Sequence, residues 1–137
     1  MSRTLEIKFY LFDTFHCSLN SIVDLITTAG WCITDDEGKI NIWNSRTDEW
    51  ESHIGQIDNI ANAYNKYWFY MYNSNHQIIK VHYANDNCFS IYPEAHVKKV
   101  AHKNGDYFDL NWYYEHFVKC FNRDKPVVER VIFDDIP

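Results

Sequence analysis

Hydrophobic and polar positions alternate strictly near the start of the chain. Leu5, Ile7, Phe9 and Leu11 alternate with Thr4, Glu6, Lys8 and Tyr10, a period of two that predicts a half-buried strand over residues 3–12. The period then changes. Leu19, Ile22, Val23 and Ile26 recur at helical spacing behind Ser18, an N-cap residue type, and Gly30 sits where a helix stops in a left-handed residue. Residues 31–34 and 39–43 flank Asp35-Asp36-Glu37-Gly38, which predicts a hairpin with a glycine-containing loop. Trp50, Ile54, Ile57, Ile60 and Tyr64 fall three or four apart, which fits one face of a helix over residues 48–66. Gly55 interrupts that pattern, so the helix rests chiefly on residues 56–65.

The second half reads mostly as strands. Tyr67-Trp68-Phe69-Tyr70-Met71-Tyr72 is a continuous aromatic and apolar run, which predicts a central strand covered on both faces. Asn73-Ser74-Asn75 marks a turn. Residues 77–83 and 88–92 make two further strands, the second ended by Pro93. Asn104-Gly105 marks another turn, after which Asp106 caps a helix with Asp109 at its third position. Leu110, Tyr113, Tyr114, Phe117, Val118 and Phe121 form the buried stripe of that helix. Pro126 opens a last strand over residues 127–133, and an acidic tail follows. The expected fold is α+β: a single domain over residues 1–137, with an antiparallel or mixed β-sheet and about three helices packed against it.

Composition adds one constraint. Five Trp, ten Tyr and nine Phe in 137 residues exceed what one small core hides. The surplus rings either line a contact surface or pocket, or sit half-exposed on sheet faces. Cys17, Cys32, Cys88 and Cys120 match no CxxC pair and no compact disulfide framework. No apolar leader follows Met1 and no run of 18 apolar residues exists, so the expected compartment is the cytoplasm, with reduced thiols and no membrane span.

Charge adds more. The net charge is −6, and residues 35–58 hold seven acids (Asp35, Asp36, Glu37, Asp48, Glu49, Glu51 and Asp58) against Lys39 and Arg46, a net −5. Such a segment repels phosphate, which argues against direct nucleic-acid binding there, and attracts a basic partner. Acids also favour hairpin turns and helix starts for local reasons. A basic run, residues 96–103, puts His96, Lys98 and His102 on one face of an expected strand and Lys99 and Lys103 on the other. It either binds an anion or forms a charged edge that blocks aggregation.

Catalytic chemistry finds little support. With glycines only at 30, 38, 55 and 105, phosphate-cradling GxxxxGK[ST] and GxGxxG loops are impossible. GxSxG and HExxH are missing too, and the DDEG turn lacks the spaced acids of a calcium loop. His116 and Cys120, four apart on the last helix, can face one ion, with His76, His82, His96 or His102 adding ligands. The plainer account is a locally bonded His and a small buried thiol. His82, His96 and His102 beside Lys98 or Lys99 form a possible acid–base set for RNA cleavage, although the negative net charge opposes it. The expectation is therefore a non-enzyme with no cofactor and no metal.

Trp31, Trp43 and Trp50 bracket the acidic segment. Aromatic anchors inside a charged surface are the composition of a tight protein-binding site. The nominated partner-binding residues are Asp35, Asp36, Glu37, Trp43, Asp48, Glu49, Trp50 and Glu51, although Trp31 and Trp43 can instead pair across the hairpin in the core. The whole-chain profile (small, acidic, rich in Tyr, Trp and Asn, without a catalytic motif) resembles the immunity proteins of bacterial polymorphic-toxin and contact-dependent growth inhibition systems. That resemblance implies a stoichiometric inhibitor bound to a cognate toxin, often a basic nuclease. The alternatives are a small-molecule or peptide-binding module with an aromatic-lined pocket, or a small His-dependent enzyme.

Overall fold

Strand β1, Thr4–Leu11, buries Leu5, Ile7, Phe9 and Leu11 and turns Glu6, Lys8 and Tyr10 to the other side, as its period of two requires. The computed structural model describes residues 3–57, 67–84 and 87–136. Helix α1, Leu19–Thr28, begins at Ser18 in a reciprocal capping box: Ser21 N–H donates to Ser18 Oγ at 3.2 Å and Ser18 N–H donates to Ser21 Oγ at 2.7 Å. It stops at Ala29, with Gly30 following at φ 97°.

The remaining elements are β2 (Ile40–Asn44), β3 (Glu49–His53), β4 (Tyr67–Tyr72), β5 (Ile78–Tyr83), β6 (Cys88–Ala95), a short ribbon of β7 (Lys99–Val100) and β8 (Tyr107–Phe108), helix α2, and β9 (Val128–Ile136). Helix α2 has three parts: an α turn Leu110–Tyr113, a π-helical segment Tyr114–Val118 and a final turn Lys119–Phe121. Seven strands form one sheet in the order β3-β2-β4-β5-β6-β1-β9, with every neighbouring pair antiparallel. Ile22 and Ile26 of α1 and Tyr113, Phe117 and Phe121 of α2 join the inward residues of the strands in one core. Phe9 lies at its centre, stacked on Phe89 at 4.9 Å and edge-on to Phe121 at 5.3 Å. The α+β class is therefore as expected. Among the described residues there are two helices, and residues 58–66 of the third expected helix lie outside the described residues.

Several local expectations are corrected. Residues 49–53 are strand, not helix, because β3 pairs with β2 from Ile40↔His53 to Asn44↔Glu49. The first arm of the expected hairpin is reduced to isolated bridges, Cys32↔Tyr72 and Thr34↔Ile40. Pro93 does not end β6. Ile78 pairs with Ala95 and Ile79 with Pro93, so Glu94 bulges out and the ladder absorbs the missing proline N–H. Asp109, not Asp106, caps α2, its carboxylate accepting from Trp112 N–H at 3.1 Å. The wider π turn lines up Tyr113, Phe117 and Phe121 toward the core and leaves Leu110 and Tyr114 on the flank, each 42% exposed. Asp134 and Asp135 belong to β9 rather than to a tail.

Candidate functional site

Both helices pack on one face of the sheet. No described helix lies over the other, and the pleat fills it with the alternate residues of each strand. Trp50 of β3 and Trp43 of β2 are directly paired. The neighbouring rows are Trp68, Tyr70 and Tyr72 on β4, Lys80 and His82 on β5, and Ser90 and Tyr92 on β6. Glu6, Lys8 and Tyr10 follow on β1, and Arg130 and Ile132 on β9. The expectation that β4 is covered on both faces is therefore corrected: Phe69 and Met71 are buried, while Trp68, Tyr70 and Tyr72 are half-buried.

The rings on this outer face hold one another in place. Trp50, 39% exposed, stacks on Tyr70 at 4.4 Å and meets Trp43 edge-on at 5.6 Å. Trp68 stacks on His82 at 4.0 Å and lies 5.6 Å from Tyr92. Lys80 Nζ sits 5.3 Å from the Trp68 ring centre and 5.5 Å from that of Tyr92, and is 3.2 Å from Glu94. Each such ring pair is worth about 0.5–1.5 kcal/mol beyond area burial, so the array is held in place by its own contacts. Burial raises the Tyr70 hydroxyl pKa. Burial, with donation to Glu6 Oε2 at 2.6 Å, pushes Tyr92 far above the ordinary tyrosine range. An open hollow of about 220 Å³ is lined by Trp43, Trp50, Trp68 and Lys80.

The acidic turn borders this face. Asp35 Oδ1 accepts the Glu37 and Lys39 backbone N–H groups at 2.9 and 3.0 Å, and its Oδ2 accepts from Asn41 Nδ2 at 2.9 Å. Donation from Asn41, then from Lys39 N–H, holds the Asp35 carboxyl below its ordinary pKa. Asn41 also donates to Tyr72 Oη at 2.7 Å and accepts from Ser52 Oγ at 2.6 Å. Gly38 closes the turn at φ 76°. Asp35, Asp36 and Glu37 line an open hollow of about 390 Å³ together with Ser52, Tyr72 and Gln77.

The eight nominated residues therefore do not form one patch. Asp35, Asp36 and Glu37 gather at one end of the β2–β3 hairpin, and Trp43 and Trp50 lie on the outer face. Glu49 and Glu51 oppose Asn44 and Ile42 and project from the other side of β3, where Glu51 lies 3.4 Å from His53 Nε2. Asp48 occupies the far turn at φ 61°, its N–H bonded to Asn44 O at 2.8 Å. Trp31 does not pair with Trp43; it is buried and stacks on Phe117 at 5.7 Å.

The histidine constellations are dispersed. His116 Nδ1 is 2.7 Å from Trp112 O and its ring stacks on Trp112, while Cys120 Sγ lies 3.4 Å from Arg123 Nη2. Among the described residues no three His, Cys, Asp or Glu side chains are grouped to hold a metal ion. The strand expected over residues 96–103 is only Lys99–Val100. His82 is on β5, His96 follows β6 and His102 follows β7, so they do not share a strand face. Sequence reasoning missed Trp68, Tyr70, Lys80 and Tyr92. The signal was Lys80 and His82 alternating with Ile79 and Val81, which marks a polar face on β5 and, by register, on β4 and β6.

Among the described residues no helix is long and apolar enough to cross a membrane. No family model, curated protein or solved structure matches the chain.

Proposed function

We propose that this chain is a non-catalytic binding protein that neutralises a basic protein partner, as an immunity protein neutralises a nuclease toxin. The observation that carries this reading is the outer face of the sheet, which no described helix covers, with Trp50 stacked on Tyr70 and edge-on to Trp43, Trp68 stacked on His82, and the acidic turn at the border of the same face. Tryptophan and tyrosine supply most hot-spot energy in protein interfaces, and rings ordered beforehand lose little side-chain entropy on binding. Arginine and lysine side chains of a basic partner stack on such rings, each contact contributing about 0.5–2 kcal/mol. Asp36 and Glu37, exposed at the rim, steer such a partner without entering the stack.

A ligand-binding module is the second reading. The hollow at Trp43, Trp50 and Trp68 is about 220 Å³, below the roughly 300–1,000 Å³ of typical small-molecule pockets. The larger hollow at Asp35 is open and edged by carboxylates. Both features favour a protein surface over an enclosing pocket.

The test is capture from the native host by the immobilised chain, followed by identification of the bound protein and assay of its activity at equimolar ratio. The expected partner is basic, binds one to one and loses its activity. A partner that is acidic, or one whose binding survives Trp50→Ala combined with Trp68→Ala, overturns the proposal.

A further inference from the structure

Strand β9 closes the opposite side of the sheet from the aromatic hairpin. Its residues pair with β1 from Thr4↔Ile136 to Leu11↔Val128, and among the described residues no strand lies on its other side. A nine-residue edge with free backbone donors and acceptors is a template for further pairing unless something blunts it. Part of that blunting is present: Glu129, Arg130, Asp134 and Asp135 are charged and β9 bulges at Glu129, so the regular edge runs from Arg130 to Ile136. Its interior contains no proline, and its pairing with β1 is regular except near Tyr10/Leu11. Apolar groups flank the edge on both sides: Ile132 and Ile136, 41% and 39% exposed, on the outer face, and Tyr107 and Leu110, 53% and 42% exposed, beside Phe133 on the helix side.

The sequence of β9 is nearly self-complementary about its centre. In an antiparallel two-fold pairing centred on Ile132, Arg130 of each copy lies opposite Asp134 of the other. In the same register Ile132 meets Ile132 and Val131 meets Phe133. Between Arg130 and Asp134 each face of the pleat stays matched across the junction. The like-charge opposition, Glu129 to Asp135, also occurs twice; Glu129 lies in the bulge of β9, and Asp135 already has an intrachain partner in Arg3 Nε at 2.9 Å. Shifting the centre by one residue either way puts Asp134 opposite Val128 or Ile132, so this register is distinguished from its neighbours.

From these observations we infer that two copies of the chain pair edge to edge through β9, in a register that sets Arg130 against Asp134 twice and continues the sheet across both copies. The surface is on the far side of the sheet from the hairpin, so the inference stands apart from the proposed partner face. Such a dimer presents two aromatic faces at once.

Sedimentation of the purified chain, with and without charge reversals, tests it. The wild-type chain is expected at twice its 16.4 kDa mass. Arg130→Asp alone and Asp134→Arg alone each place like charges opposite one another, and both are expected to sediment as monomers with unchanged far-ultraviolet circular dichroism. Mixing the two variants restores both opposite-charge pairs, so the mixture is expected to regain the dimer mass. A monomeric wild-type chain overturns the inference. So does a dimer that neither reversal weakens, or a mixture of folded variants that stays monomeric.

Discussion

The two faces of the seven-stranded sheet are built on the same strands with different chemistry. The inner face carries Leu5, Ile7, Phe9, Phe69, Met71, Val81 and Ile91, all buried under α1 and α2. The outer face carries Trp43, Trp50, Trp68, Tyr70 and Tyr92 interleaved with Lys80 and His82. Both are rich in rings, but the inner ones are mainly phenylalanines such as Phe9, Phe69 and Phe89, and the buried Tyr83 and Tyr113 hydroxyls are bonded to backbone groups at Cys17 and Lys98. The outer ones carry a hydroxyl or indole N–H, so they tolerate contact with water. The aromatic surplus in the composition is therefore shared between the core and a second, outer surface.

If that division is correct, the largest effect on stability comes from the inner face. Phe9→Ala removes a fully buried ring packed on Phe89 and Phe121 and is expected to cost about 3–5 kcal/mol in equilibrium guanidinium unfolding. A cost below about 1 kcal/mol would place the core elsewhere. Trp50→Ala on the outer face should reverse the pattern. Stability falls by about 1 kcal/mol through the lost stacking on Tyr70, while partner affinity falls by about 2 kcal/mol or more, roughly 30-fold in Kd by titration calorimetry. Equal losses in both measurements would erase the distinction between the faces.

Smaller effects belong to the acidic turn. Asp36→Lys with Glu37→Lys leaves Asp35 and its three hydrogen bonds in place. This pair of reversals is expected to slow partner association about tenfold at low salt and to converge with wild type at high salt, by stopped-flow fluorescence. The smallest effect is a titration. The folded pKa of Asp35 is depressed, so its contribution to stability is complete above the ordinary carboxylate pKa of about 4 and is lost as pH falls through the folded value. A carbon-detected NMR titration should find its midpoint below the ordinary carboxylate value, and Asn41→Ala should move it up.

Much of the inner face is legible in the sequence, because Leu5 to Leu11 and Leu19 to Ile26 keep clean periods and Ser18 and Gly30 punctuate them. The hairpin is harder. Trp50, Ile54 and Ile57 fall at helical spacing, yet residues 49–53 are held as strand by pairing with residues 40–44, a non-local contact that no local period encodes. Tyr67–Tyr72 hides its alternation because Trp and Tyr suit either side of a sheet. The π turn in α2 is likewise invisible to a strict helical count, which is why Leu110 and Tyr114 are read as buried. At the candidate site, the acids and two tryptophans are legible one by one. Their division between the two sides of β3 follows only from its register with β2.

The position of β1 in the sheet has a consequence for synthesis. It lies between β6 and β9, and Arg3 meets Asp135 across 132 positions of sequence. At the roughly 5–20 residues per second of translation, the side of β1 that β9 will occupy waits on the order of ten seconds on the ribosome. Such a topology favours slow, late closure, in the millisecond-to-second range once the whole chain is free. The strand that ends the wait is β9, whose pairing closes that side of β1.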